Sequence, residues 1–279
     1  MARMTSGRSN MANAGARAKA RKASLIDATR MRQLLQQGTD SIGASIGDFG
    51  YRSEMDVYST RMGGSDAIEA ALSHNLDNDL DSVLDFCQGN LKGLVAIYVE
   101  RYHYDKAKTV LRAVHKGASD ELIADQILPE ENPKNSLWLQ IVRTTETVQE
   151  AADAMAGSPW GRCLAKLEGE PSLQEMEDAL DRQYYANSLV AVRGKDANPQ
   201  MLRYMRTEID HRNIINQFRA LRQNLSVETR ANLNIPGGRI GDAVLRAATQ
   251  ADSEEALLDA LRRANAFNDS GFEEALLES

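Results

Sequence analysis

The sequence predicts an all-α protein assembled from three pseudo-repeated helical subdomains, the last of them cut short. Three observations predict it. Aromatic residues are 5% of the 279 positions, Ala, Leu, Arg, Glu, Gln and Asp are plentiful, and there are six prolines, a balance that favours helix over sheet. Apolar residues recur at three- and four-residue spacings, and alternating strand-like runs are absent. A short phrase also returns at long intervals: Ile68-Glu69-x-Ala71-Leu72, Met176-Glu177-x-Ala179-Leu180 and Phe272-Glu273-x-Ala275-Leu276. Periods near a hundred residues are too long for common solenoid repeats and suit small repeated subdomains.

Each element has a local reason. Residues 1–15 are rich in Ser, Asn, Gly and Ala and read as a disordered tail. A basic helix is expected over 16–37, with Leu25, Met31, Leu34 and Leu35 towards the core and Gly38 as its stop. Gly43, Gly47 and Gly50 make 38–54 a turn-rich segment around Phe49 and Tyr51. A helix follows over 66–87, and a long one over 89–116 carries the stripe Leu91, Leu94, Val95, Tyr98, Tyr102, Val110, Leu111 and Val114. Gly117 ends it, and Ser119 is placed to cap a short helix. Pro129 and Pro133 bracket a loop before helices at 135–156 and 160–167. Gly169 and Pro171 mark the next boundary. Ser172 and Glu175 form a capping box for a helix with Leu173, Met176, Leu180 and Tyr184 inward. A second long helix is expected over 198–224, with Leu202, Met205, Ile209, Ile214, Phe218, Leu221 and Leu225 in its stripe. The Pro236-Gly237-Gly238 loop then precedes helices at 239–249 and 253–264, the latter with Asp252 and Glu255 as a capping box.

Sliding the chain on itself by 107 positions pairs Arg112-Ala113 with Arg219-Ala220, Ser119 with Ser226, Glu121 with Glu228, Ala124 with Ala231, Pro129 with Pro236 and Trp160 with Phe267. The identities cluster at the end of a long helix, the next cap and the next loop. The expected organisation is a tail at 1–15, a basic helix and turn-rich part at 16–62, repeat one at 63–168, repeat two at 169–270, and the opening of an incomplete third repeat at 271–279.

No catalytic pattern accompanies this architecture. His74, His103, His115 and His211 have no partner at a metal-ligand spacing, and Cys87 and Cys163 lack a Cys-x-x-Cys or Cys-His neighbour. Gly63-Gly64 and Gly237-Gly238 lack the lysine of a phosphate loop. Asp77, Asp79, Asp81 and Asp85 lack the glycine and terminal glutamate of a calcium loop and read as a solvated helix face. No cofactor or small-molecule substrate is implied. The net charge of −7 and pI near 5.3 exclude a generic nucleic-acid binder. Residues 1–26 contain no acid and six basic residues, Arg3, Arg8, Arg17, Lys19, Arg21 and Lys22. That composition is shared with transit peptides, and the simpler reading is a frayed tail leading into a basic helix.

Charge is organised on the long helices. One carries Arg101, Lys106, Lys108, Arg112 and Lys116, and the other Arg203, Arg206, Arg212, Arg219 and Arg222. Arg212 and Arg219 lie seven apart and share a face, as do Arg101, Lys108 and His115. Glu208 can pair with Arg212 one turn on. These faces are either solvated surface or seats for a partner helix or acidic loops.

The same residues resemble a known family: the C subunits of archaeal (A-type) and related V-type ATP synthases, which correspond to the d subunit of vacuolar ATPases. The resemblance rests on the basic helix at 16–26 (ARAKARKASLI) and on the long-helix phrases at 102–113 (YHYDKAKTVLRA) and 208–220 (EIDHRNIINQFRA). The second phrase is the closer match and keeps Asn213. Residues 179–185 (ALDRQYY) and Pro236-Gly237-Gly238 match further phrases of the family. The first copy departs from the pattern at Asp105-Lys106-Ala107, and a further long helix is usual after the third phrase.

The resemblance implies a funnel-like array of three subdomains and a non-enzymatic rotor adaptor on the cytoplasmic face of a membrane. Its partners would be the central shaft, seated in the hollow, and the membrane ring of proteolipid subunits beneath. Its role would be to carry torque between proton or sodium flow and ATP synthesis or hydrolysis. Arg112, Arg219, Arg212, Glu208 and Asn213 are the candidate shaft contacts. The alternative is a free-standing helical-repeat scaffold that binds partner helices outside any ATPase.

Overall fold

The computed structural model describes residues 8–193, 198–265 and 267. Among them every regular element is helical and no strand occurs. The third Glu-x-Ala-Leu phrase lies outside the described residues. The chain divides into two compact units, the first ending at Leu180 and the second beginning at Asp181.

The first unit opens with α1 (Met11–Ser24), α2 (Ala28–Leu34), α3 (Thr39–Ile46) and α4 (Arg52–Tyr58). The single basic helix expected over 16–37 is therefore broken. The Asp27 carboxylate accepts from the backbone N–H groups of Thr29 and Arg30, so it caps a new helix and turns the chain at Leu25. Of the four expected core residues, only Leu34 is buried, while Leu25, Met31 and Leu35 are exposed.

The glycine-rich stretch 38–54 is mostly helix, because two of its glycines serve packing. A Cβ on Gly43 would lie 3.2 Å from Met55 Cε, and Gly47 is buried. Gly50, at φ 105°, supplies the one turn. Leu34, Ile46, Met55 and Tyr58 then close over the small face of α5 (Gly64–Phe86), made by Ala67, Ala70 and Ala71. Fully buried Tyr58 keeps its hydroxyl satisfied 3.0 Å from His74 Nδ1.

The long helix α6 (Gly89–His115) ends close to its expected limit, and Ser119 Oγ accepts from Leu122 N to cap α7 (Asp120–Leu122). The helix expected over 135–156 is two, α8 (Ser136–Thr144) and α9 (Val148–Ala156). Thr147 and Glu150 form a capping box there that starts α9 afresh. A tight helical turn at Gly161–Lys166 follows. The helix α10 (Leu173–Arg193) begins on the expected capping box, with Ser172 N donating to Glu175 Oε2 at 2.8 Å and Glu175 N donating to Ser172 Oγ at 3.3 Å.

The second unit takes the rest of α10, then α11 (Pro199–Arg222), α12 (Val227–Asn232), α13 (Asp242–Gln250) and α14 (Glu254–Leu261). Ser226 caps α12 as Ser119 caps α7, by accepting from the N–H three residues on. The cap of α14 is Ser253, which accepts from Ala256 N, not Asp252. Ile214 of α11, Leu245 and Ala248 of α13, and Leu257 and Leu261 of α14 make the core. No helix among the described residues is long and apolar enough to cross a membrane.

Candidate partner-binding surface

The two faces of α11 have different tasks. Its inner face carries polar residues that lock the loop 233–240. Asn213 is fully buried; its Nδ2 donates to Ile235 O at 2.9 Å and its Oδ1 accepts from Ile235 N at 2.7 Å. Asp210 accepts from Arg239 N and Ile240 N at about 3 Å, and Arg206 donates to Gly238 O through Nε and Nη2 at 3.1 and 2.7 Å. Gln217 Nε2 donates to Arg230 O at 2.8 Å and Asn234 Oδ1 at 3.0 Å.

Arg230, only 3% exposed, reaches across to α13 and donates to Ala251 O at 2.6 Å and Ala248 O at 2.9 Å. It thereby satisfies carbonyls that the end of α13 leaves open. Burial pulls its pKa below the ordinary value. The loop glycines are dictated by this lock: a Cβ on Gly238 would collide with the Asp210 carboxylate, and Gly237 has φ 100° with Leu189 of α10 against it.

The outer face of α11 presents Glu208, Arg212, Ile215, Arg219 and Arg222 at helical spacing. Arg212 is held by Asp181 at 3.2 Å. Arg222 donates to Glu254 at 2.5 and 3.3 Å, and that bond raises its pKa. Arg219 is exposed, as is Ile215. Three of the four α11 candidates, Glu208, Arg212 and Arg219, thus share one face. Asn213 lies on the opposite, buried face.

On α6 the charges are more inward than the sequence suggests. Lys108, expected on a solvated face with Arg101 and His115, is buried and paired with Asp105 at 3.0 Å. Lys106 donates to Asp77 Oδ2 at 2.7 Å and to Asn135 Oδ1 at 2.9 Å, while Asn132 donates to the same Asp77 oxygen at 2.6 Å. These contacts fasten the loop after α7 to α5 and α6. Arg112 is the outward group near the helix end, bonded bidentately by Glu177 at 2.6 Å to each oxygen.

Sequence reasoning missed Asp210, Gln217 and Arg230. A signal existed, since Asp210, Asn213 and Gln217 recur at three and four residues within the apolar stripe of α11.

One cleft of ≈ 470 Å³ is lined by Glu69, Asp77, Lys106 and Asn135, of which Lys106 is bonded to both Asp77 and Asn135. Among the described residues no group of three or more His, Cys, Asp or Glu side chains is arranged to hold a metal ion. Burial pushes the Cys163 thiol up to about 11, away from nucleophilic character.

Fold and surface together define an all-helical scaffold whose long helices each carry one internally bonded face and one outward charged face. The chain belongs to the ATP synthase (C/AC39) subunit family, whose model matches residues 14–276. It is similar to the C subunit of the A-type ATP synthase of Halobacterium salinarum, 30% identical over 247 residues, which cover 85% of this chain and 69% of that protein. It is 29% identical to the corresponding A-type ATP synthase protein of Halorubrum lacusprofundi over 237 residues (84% and 68% of the two chains). It is 28% identical to that of Haloquadratum walsbyi over 253 residues (88% and 72%).

Proposed function

We propose that the protein is a non-catalytic adaptor of the rotor in an A/V-type ATP synthase. It would join the central shaft to the membrane proteolipid ring and transmit torque between ion flow and ATP synthesis or hydrolysis. Its place is the cytoplasmic face of the membrane, held there through the complex. The observation that carries the reading is membership of the ATP synthase (C/AC39) family over nearly the whole chain. The locked inner face of α11 supports it, because a part that transmits force needs elements that do not slide on one another. The outer residues Arg212, Glu208 and Arg219, and Arg112 near the end of α6, are the proposed shaft contacts, with Asn213 bracing the helix from behind. The matching caps and loops of the two long-helix segments support descent from a duplicated subdomain.

Co-purification tests the role directly. The tagged chain is expected to bring down shaft and proteolipid proteins, and a chain recovered alone would favour a free-standing scaffold. Reversing Arg112 and Arg219 to Glu is expected to weaken capture of the purified shaft; unchanged capture would remove these faces from the interface.

A further inference from the structure

Charge is distributed very unevenly along the chain. Residues 1–36 hold eight of its 33 Arg and Lys residues and one of its 40 Asp and Glu residues, which leaves the remainder at a formal −14 against −7 for the whole. Within the described part of this segment the cations other than exposed Arg8 fall into two sets. One set is engaged by neighbouring side chains, although Arg17 and Arg30 stay exposed. Arg17 lies over the Phe86 ring at 4.6 Å, Arg30 over the Phe49 ring at 5.1 Å, and Arg21 bonds Asp79 and Ser82. The other set is Lys19, Lys22 and Arg32, all exposed; Lys19 and Lys22 form no ion pair among the described residues, and Arg32 bonds Ala28 O and lies close enough to Asp27 to help lower its pKa. Apolar side chains are exposed on the same stretch of chain. Leu25 at the break between α1 and α2 is 51% exposed, and Met31 of α2 and Leu35, which follows its last turn, are 46% and 76% exposed.

We propose that this surface binds an anionic lipid bilayer, with Lys19, Lys22 and Arg32 among the headgroups and Leu25, Met31 and Leu35 at the acyl boundary. A basic patch and inserted apolar groups are two weak signals that together give stable attachment to a membrane surface. The apolar side chains favour lipid over nucleic acid, since a phosphate backbone would leave them in water. The rings against these helices, Phe86 and Phe49, lie under Arg17 and Arg30 and are not offered for stacking on bases. The inference does not depend on the adaptor role, because it concerns lipid and not the proteolipid ring.

Flotation of the purified full-length chain with vesicles tests it. Binding is expected to phosphatidylglycerol–phosphatidylcholine vesicles in about 50 mM salt and to fall steeply at about 0.5 M salt. Pure phosphatidylcholine vesicles should not bind it. The K19E/K22E/R32E variant, with an unchanged circular dichroism spectrum, should bind at least about tenfold more weakly. L25S/L35S should lose what attachment persists at the higher salt. Equal binding to neutral and anionic vesicles, or undiminished binding of the charge-reversed variant, would overturn the proposal. Tighter retention on duplex DNA or on polyglutamate than on anionic vesicles would overturn it in favour of a nucleic acid or an acidic protein. Co-purification of the shaft is a separate readout, so the two ideas fail independently.

Discussion

At the residue scale the telling side chains are polar and buried. Arg230 holds Ala248 O and Ala251 O with two different nitrogens. Replacing it with Ala leaves those carbonyls unsatisfied and should cost about 2–4 kcal/mol. R230K should recover only part of that, since a point charge does not reproduce the fork; urea unfolding of the three proteins checks the order. His103 gives a pH prediction. Its ring stacks on Trp160 at 4.7 Å with the planes 3° apart, and its Nδ1 is buried without a hydrogen-bond partner. Burial lowers its pKa from 6.5, with Lys106 and Lys134 adding to the shift and Asp77 and Asp81 opposing it. The fold therefore prefers the neutral ring. The unfolded chain takes up the proton first, so this contribution is complete above pH 6.5 and is lost as pH falls through the folded pKa. Stability measured between about pH 7 and 5 should fall less steeply in H103Q than in the wild type; parallel curves would show that His103 is not the titrating group. Neither the burial of Arg230 nor the half-burial of His103 was legible, because a lone Arg or His in a helical segment is normally solvated.

At the scale of the element, the long helices were legible and the short ones were not. Helices α5, α6 and α11 end within about two residues of expectation, the usual play of helix ends, although of the stripe expected on α6 only Val110 and Leu111 are buried and Tyr98 is exposed. The breaks before α2 and α9 were missed because one Asp27 or Thr147 decides each, inside sequence that is otherwise compatible with helix. The glycines at 43 and 47 misled in the other direction, since they mark close packing where a turn was read. Glycine's meaning is thus set by its neighbours, which yields a paired prediction. G238A forces a methyl against the Asp210 carboxylate and disturbs its bonds to Arg239 N and Ile240 N, so it should destabilise by about 2 kcal/mol or more. G157A meets nothing within 4 Å and sits at φ −73°. It should be neutral or stabilise by about 0.5 kcal/mol through the unfolded chain. Thermal melts of the two variants should move in different directions or by clearly different amounts.

At the scale of the whole molecule, all-α architecture was legible from composition and periodicity, while the facing of the proposed contact residues was legible only in part. Arg212, Arg219 and Glu208 fall on one outward face because a seven-residue spacing is nearly two helical turns. Asn213 falls on the other because the 233–240 loop needs a partner for the Ile235 backbone, a demand created by tertiary structure. That division gives the adaptor role a mechanical consequence. On the proposed reading, a substitution on the outer face changes the grip on the shaft without loosening α11, whereas one on the inner face loosens the helix itself. In a reconstituted ATP synthase, R212E/R219E should therefore leave ATP hydrolysis by the nucleotide-binding head near its wild-type rate but lower the ions moved per ATP, since nothing in this chain is proposed to touch nucleotide. N213A should also lower coupling, but with a lower urea midpoint in the isolated chain, because it removes two buried hydrogen bonds. Ion flux and hydrolysis measured together separate the outcomes. Loss of both in R212E/R219E, with the complex equally well assembled, would count against a purely mechanical part, and full coupling would show that the shaft is held elsewhere.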